Sequence, residues 1–311
     1  MKEQYLWDER YRPRTIEECI LPPALKGRFQ EYADRGEVPN MILTGTSGTG
    51  KTTVARALCE QVGCDYIIIN GSLEGRQIDT LRTKIKSFAS AFSFEGKPKV
   101  VIIDEADYLN KDSVQPALRA FIEQYSDNCR FIFTCNYLHK LTSHIHSRNT
   151  VIEFKATKTE QQALCGAFMK RMQFILKTEG ITYKDKVLAA LLIKFYPDYR
   201  RVLKEMQNYS VSGTIDEGIL CDIVDIDGKN LIAAMKADNY KQQVDWVVNN
   251  VEADPVGLIR QIYDTLVPVI TNPRHAVVIL ADYQYKANFA VDHEINMNAC
   301  LSELISACKF K

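Results

Sequence analysis

Several things are missing from this 311-residue chain, and each absence excludes a class of protein. No apolar run approaches the ~20 residues that a membrane-spanning helix requires. The opening Met1-Lys2-Glu3-Gln4-Tyr5 lacks the apolar core of a signal peptide. There are nine cysteines, an odd number, and none is in C-x-x-C spacing. That excludes a disulfide framework or a zinc module and predicts reduced, buried thiols in a cytoplasmic protein. His144 and His146 stand two apart without a supporting cysteine or acid cluster, so a loop or surface role is expected of them. Net charge is also absent, with 39 basic and 39 acidic residues. This argues against coating nucleic acid by bulk charge but leaves room for binding through a few basic groups and helix N-termini. No internal repeat or low-complexity tract is present. What remains, 46% hydrophobic and 25% charged, is an ordinary soluble globular composition with length for two or three domains.

The most informative stretch is Gly45-Thr46-Ser47-Gly48-Thr49-Gly50-Lys51-Thr52. It follows the apolar run Met41-Ile42-Leu43 and opens a helix-compatible segment from Thr52 to Cys59. Strand, glycine loop and helix form the context of a phosphate-binding P-loop. The glycines let successive backbone N–H groups turn inward around phosphates, and Lys51 brings a positive charge to the β- and γ-phosphates. The Thr52 hydroxyl is placed to hold Mg²⁺, and the helix N-terminus adds its positive dipole end.

A second apolar run, Val100-Val101-Ile102-Ile103, reads as a strand buried on both faces. It ends in Asp104-Glu105-Ala106-Asp107. Beside a P-loop, Asp104 is assigned to the Mg²⁺ water shell and Glu105 to orienting and deprotonating the attacking water. ATP hydrolysis, rather than ATP binding alone, is the expectation. The same letters occur in DEAD-box helicases, but those need two nucleotide-fold domains and this chain has strand–helix alternation for one.

Five strand-like runs punctuate the first half: Met41–Leu43, Tyr66–Asn70, Val100–Ile103, Phe131–Thr134 and Val151–Phe154. Helix-compatible segments separate them, which predicts an α/β domain with a parallel sheet flanked by helices. After Phe154 helical periodicity takes over. Thr157 or Thr159 caps a helix bearing Leu164, Phe168, Met172 and Ile175, which Gly180 closes. A second helix starts at Asp185 and breaks at Tyr196-Pro197-Asp198, and a third runs from about Tyr199 to Asn208. The polar stretch from Ser210 to Gly218 marks a boundary. Beyond it, helical segments alternate with breaks at Asp254-Pro255 and Asn272-Pro273. The expected division is an ATPase domain at 1–155, an all-α lid at 156–213 and an all-α collar or oligomerisation domain at 214–311.

Further signals follow the fourth and fifth strands. Asn136 comes at the end of Phe131-Ile132-Phe133-Thr134-Cys135, where a polar side chain reaches the attacking water or the γ-phosphate. Ser147-Arg148 precedes the fifth strand, and Asp198-Tyr199-Arg200-Arg201 opens the third lid helix. The N-terminal Trp7-Asp8-Glu9-Arg10-Tyr11-Arg12-Pro13 resembles the W-x-x-x-Y-R-P segment of DNA polymerase clamp loader ATPases. Together with the P-loop, the D-E-A-D stretch, T-x-N, S-R and D-x-R, it resembles the replication factor C small-subunit family. The segment Tyr11-Arg12-Pro13 to Thr15-Ile16, Glu18 and Cys19-Ile20-Leu21-Pro22 is more specifically similar to the large, ATP-hydrolysing subunit of T4-type bacteriophage clamp loaders. The resemblance covers Trp7 to about Arg201; over the rest, length and helical character agree but no motif does.

The resemblance implies an AAA+ fold and ATP hydrolysis coupled to opening a sliding clamp and placing it on primer–template DNA. It implies Mg²⁺ with ATP. The implied partners are the clamp, a clamp loader small subunit and further copies of this chain. It implies that Asp8, Glu9, Arg10, Tyr11 and Ile20 wrap the adenine, and that Gly48, Thr49, Gly50, Lys51, Thr52 and Thr53 hold the phosphates. Asn136 corresponds to the sensor beside the γ-phosphate and Arg200 to the lid arginine that touches it in cis. Arg148 corresponds to an arginine finger acting in trans on a neighbour's ATP. Where the family has S-R-C, this chain has Ser147-Arg148-Asn149, a change that touches packing and leaves the finger in place. The location implied is the cytoplasm of the host cell. Two candidate DNA contacts each have a structural alternative. Arg82 belongs to the basic set Arg76, Arg82, Lys84 and Lys86 on an expected helix, against a simply solvated face. Arg119, after Gln115-Pro116, links Glu105's strand to a neighbour or to DNA, against a structurally paired arginine. The competing functions are an AAA+ DNA-translocating motor of the branch-migration or helicase type, and a non-enzymatic subunit of the same assembly, against which Lys51, Glu105 and Arg148 all speak.

Overall fold

The computed structural model describes residues 5–73, 78–90, 99–216, 219, 229–251 and 255–311. It divides into two compact units, Met1–Asp216 and Glu217–Lys311.

The first unit is built on five parallel strands: β1 (Met41–Thr44), β2 (Tyr66–Asn70), β3 (Lys99–Asp104), β4 (Cys129–Cys135) and β5 (Thr150–Glu153). Their order across the sheet is β2-β3-β4-β1-β5, all parallel. The inner strands β1, β3 and β4 are buried along nearly their whole length, which is why their runs are almost continuously apolar, while the edge strand β5 buries Ile152 alone. Alternate residues face opposite layers. Met41, Leu43, Val100, Ile102 and Ile132 enter one core, and Ile42, Val101, Ile103, Phe131 and Phe133 the other. The first layer is closed by α2 (Pro23–Arg35) and α3 (Lys51–Val62), through Phe29, Val54 and Leu58. The second is closed by α4 (Ile78–Ser90) and α5 (Val114–Gln124), through Leu81, Ile85, Leu118 and Ile122. A short α1 (Trp7–Arg10) precedes them, and α6 (Ser143–His146) leads into β5.

Three helices follow the sheet: α7 (Lys158–Thr178), α8 (Asp185–Phe195) and α9 (Tyr199–Tyr209). Of the two possible caps, Thr157 is the one used. Its side chain accepts from the Glu160 backbone while Glu160 reaches back, a capping box. Gly180, at φ +72°, follows the end of α7. Asp198 caps α9 by accepting from Arg201 N at 3.1 Å. One feature departs from the expected all-α character, a two-residue parallel pair between β6 (Thr182–Tyr183) and β7 (Thr214–Ile215), the second strand lying just past the expected lid boundary at 213 and within the first unit. These residues have no strand-like apolar run, and only the approach of the two chain segments pairs them.

The second unit holds α10 (Lys229–Lys236), α11 (Tyr240–Asn250), α12 (Pro255–Leu266), α13 (Pro273–Ala287) and α14 (His293–Ala307) around one apolar core. Trp246, Leu258, Ile262, Leu280 and Leu301 lie within it. The chain end returns to this core, with Ile270 bridged to Phe310 and Thr271 N donating to Lys309 O at 2.8 Å. Pro255 and Pro273 each open a helix, as their missing N–H allows. Arg76, Asp254, Gly218 and Cys221 lie outside the described residues. Seven of the eight described cysteines are buried, as the sequence leads one to expect. No described helix is long and apolar enough to cross a membrane.

Candidate nucleotide site

Strand register decides which side chains meet. Thr44 pairs with Cys135 and Ile103 with Phe133, so Gly45, Asn136 and Asp104 emerge side by side at the carboxyl edge of β1, β4 and β3. Open α/β sheets bind ligands at this edge. The glycine loop runs from there into α3, whose N-cap Gly50 is left-handed at φ +88°. Its first N–H groups are thereby available to an anion.

One cleft gathers Ser47–Val54, Asp104, Glu105, Asp107, Thr134, Asn136 and Arg200 with residues of the N-terminal segment and the lid. Lys51 is only 8% exposed. Its ammonium donates to Gly45 O and Thr46 O at 2.8 Å and to Asn136 Oδ1 at 2.9 Å. Burial pushes Lys51 below the ordinary lysine range; Cys135, Asp104 and Asp107 oppose that shift and Arg200 adds to it. Thr52 Oγ1 donates to Asp104 Oδ1 at 2.7 Å, and Thr134 Oγ1 donates to the same oxygen. Glu105 N donates to Thr134 Oγ1 at 3.2 Å. Glu105 itself sits in the left-handed region at φ +55°, a costly conformation for a glutamate that clusters at functional sites.

Two glycines make this geometry sterically feasible. A Cβ on Gly71 would lie 2.5 Å from Glu105 O, so only glycine lets β2's end pass under the Glu105 turn. A Cβ on Gly48, where φ is +75°, would lie 2.0 Å from Asp198 Oδ1. The phosphate loop therefore touches the cap of the lid helix that carries Arg200.

The N-terminal segment ties loop, helix and lid together. Trp7 N donates to Gln207 Oε1 at 2.9 Å, and Gln207 Nε2 to Tyr5 O at 2.7 Å. Arg171 donates to Tyr11 O at 2.8 Å, while Ile16 N donates to Gln61 Oε1 of α3 at 2.9 Å. Asp8, Tyr11 and Ile20 line the cleft. The side chains of Glu9 and Arg10 do not; Glu9 is bound by Arg12 and lies 3.8 Å from Arg56, and Arg10 pairs with Glu179 at 3.1 Å. The Tyr11 hydroxyl donates to Glu179, and burial followed by that contact raises its pKa to about 12. Arg200 lies 3.9 Å from Asp8. The lid supplies an apolar wall in which Phe168 and Tyr199 stack with ring centres 4.2 Å apart.

Arg148 is not in the cleft. It follows α6 and binds Glu123 of α5, with Nε to Oε1 at 2.8 Å. Arg119 is 3.7 Å from the same Glu123 oxygen, and Arg82 is exposed on α4. His146 approaches Leu138 O at 3.2 Å, and no group of three potential metal-ligating side chains occurs among the described residues.

Asp107, Thr134, Arg171 and Gln207 also build the site, beyond the residues expected of it. Asp107 is buried in the cleft, and neither carboxylate oxygen has a hydrogen-bond partner among the described residues. Its place as the last letter of D-E-A-D was the available signal. Arg171 and Gln207 had none, because their partners are backbone groups about 160 to 200 residues away in sequence.

Comparison with known proteins identifies the family. The ATPase family associated with various cellular activities (AAA) matches residues 41–157. The AAA+ ATPase lid domain of the sliding-clamp-loader large subunit matches residues 160–221. The sliding-clamp-loader large subunit of Enterobacteria phage T4 is 39% identical over 246 residues, covering 78% of this chain and 76% of that protein. The replication factor C small subunit of Sulfurisphaera tokodaii is 29% identical over 322 residues, 98% of this chain and 96% of that one. Among solved structures, the Thermotoga maritima RuvB Holliday junction branch migration motor has a TM-score of 0.52 at 17% identity, covering 83% of this chain and 80% of its own, a likeness of fold alone. The P-loop, the strand-tip acids and the lid thus belong to an ATPase, and the chain is a member of the sliding-clamp-loader large-subunit family of AAA+ proteins.

Proposed function

We propose that this chain hydrolyses ATP at a site divided between two copies of itself, and uses the cycle to open a sliding clamp and release it on primer–template DNA. The observation that carries the reading is the separation of groups. Lys51, Thr52, Asp104, Glu105 and Asn136 converge on one cleft, while Arg148 projects from outside it. In this reading Asp8, Tyr11 and Ile20 seat the base against the lid. Gly48 to Thr53 and the N-terminus of α3 seat the phosphates, with Lys51 exchanging its carbonyl partners for phosphate oxygens. Glu105 takes the proton of the attacking water and Asn136 orients that water, while Arg200 closes from the lid in place of its approach to Asp8. Glu9 and Arg10 act one step back, holding Arg12 and the lid residue Glu179.

The oxygen donors fit Mg²⁺. Thr52 and Asp104 bring a hydroxyl and a carboxylate together, and Asp107 adds a buried carboxylate that has no hydrogen-bond partner among the described residues. Magnesium favours such a sparse set, completed by substrate phosphates and water. It would supply charge neutralisation at the phosphates.

The partners in this reading are the clamp, a different clamp loader subunit, further copies of this chain and DNA, all in the host cytoplasm. Arg82 is the candidate phosphate contact. The 3.7 Å approach of Arg119 to Glu123 favours the paired-arginine reading of Arg119 over a DNA contact.

The test is ATP turnover by the chain alone, with primer–template DNA, and then with clamp and partner subunit added. Stimulation by DNA and clamp together, abolished by Arg148→Ala, is the expected result. The expected loss is on the order of 10³-fold or more, as for arginine fingers elsewhere. Turnover stimulated by DNA and indifferent to clamp would reject the loader mechanism in favour of a translocating motor.

A further inference from the structure

Arg148 is held on two sides. Glu123 Oε1 accepts from both Nε and Nη2, with the Nε contact at 2.8 Å. Nη1 donates to His144 O at 3.0 Å and to Ser147 Oγ at 3.2 Å. A guanidinium has five N–H donors, so these contacts fix its plane and leave one Nη2 hydrogen uncommitted among the described residues. Glu123 is half exposed, with Arg119 one helical turn away as a second cation. The Arg148 side chain is 26% exposed, so it is ordered yet reachable.

The other end of α5 is equally constrained. Gln115 is fully buried, donates to Leu109 O at 3.3 Å and Lys140 O at 3.1 Å, and accepts from Thr142 N at 2.8 Å. Helix α5 is thereby pinned to the segment following Asp104–Asp107 and to the loop following Asn136. Its last turn carries Glu123. A rigid element runs from the edge of one copy's own cleft to the arginine it offers outward.

We propose that Glu123 is a positioning residue for the trans-acting Arg148, fixing the guanidinium before it meets a neighbouring copy's nucleotide. The inference rests on the divided-site reading above. A long arginine side chain loses rotamer freedom when it engages an anion, and a side chain already fixed as a planar fork loses less at that step. Misplacing a reacting group by about an ångström costs on the order of 10²-fold in rate. Glu123 sets the orientation, and its exposed carboxylate stays hydrated and yields the guanidinium to a less hydrated phosphate.

The experiment uses the assembled complex with clamp and primer–template DNA. Glu123→Ala is expected to lower kcat by roughly ten- to a hundredfold with KM for ATP unchanged. Glu123→Gln keeps an acceptor oxygen and is expected to recover part of that loss. The decisive arm mixes two chains. A Glu105→Gln chain has no working site of its own but keeps Arg148 and Glu123, so it should restore turnover at the sites of Glu123→Ala neighbours. Recovery on mixing supports the proposal, and absence of recovery overturns it, since a defect confined to the mutated copy's own fold cannot be rescued by a neighbour. The melting midpoint of Glu123→Ala should stay within about 4 °C of the parent. Parental kcat in Glu123→Ala beside a collapsed Arg148→Ala overturns the role of Glu123 alone. Parental turnover in Arg148→Ala itself overturns the divided site.

Discussion

The two units of this chain use their residues in opposite ways. In the first, Thr44, Lys51, Lys99, Asp107, Gln115 and Thr134 are buried polar or charged side chains, and Lys51, Asp107 and Thr134 line the cleft. In the second, Gln243 is the buried polar residue among those described, while Val278, Tyr285, Phe289 and Ile295 stand exposed. Burying polar groups costs stability unless each is hydrogen-bonded, so they accumulate where chemistry needs them. The helical unit buries fewer polar or charged side chains, and its exposed apolar residues are what sets it apart. The first unit is thus legible as chemistry and the second as packing.

The comparison breaks most visibly at Glu105. Replacing it with Gln should cut turnover by about 10²–10⁴-fold while leaving ATP binding intact, as measured by phosphate release beside equilibrium nucleotide titration. Loss of binding with loss of turnover would make Glu105 part of the nucleotide seat instead. In the second unit the equivalent blow is structural. Leu301 is 1% exposed within its core, so Leu301→Ala should cost about 2–5 kcal/mol in denaturant unfolding of that unit. A smaller effect would mean the helices close around the missing methyl groups.

Gly48→Ala tests the seam between phosphate loop and lid. The added Cβ would meet Asp198 Oδ1 at 2.0 Å, and the residue would be forced to φ +75°. With about 1–2 kcal/mol of backbone cost alone, KM for ATP should rise roughly tenfold. An unchanged KM would show that Asp198 moves aside freely. The smallest effect belongs to Val278→Ser, on a side chain 69% exposed. Unfolding should shift by no more than about 0.5 kcal/mol, and a larger shift would mean that the exposed apolar set packs within its own unit after all.

Much of the first unit could be read from residues alone. Five apolar runs became five strands, most clearly β1, β3 and β4, where burial on both faces leaves little freedom for polar residues, and Thr157, Gly180 and Asp198 announced helix ends through local hydrogen bonding and backbone conformation. The pair β6–β7 had no such signal, because two residues per strand are too few for a pattern. Glu9 and Arg10 illustrate a different limit. Their motif was legible, yet the direction of each side chain depended on where Arg12, Arg56 and Glu179 arrived in space.

By itself, then, the sequence determined the strands, the lid helices, the phosphate loop and the identity of the chemistry, since each depends on residues a few positions apart. Tertiary structure alone decided that Gly48 abuts Asp198, that Gly71 clears Glu105, that Gln207 holds the N-terminus, and that Arg148 is gripped by Glu123. Those contacts join residues 25 to 200 positions apart. Such meetings are set by strand order and helix packing rather than by any local preference.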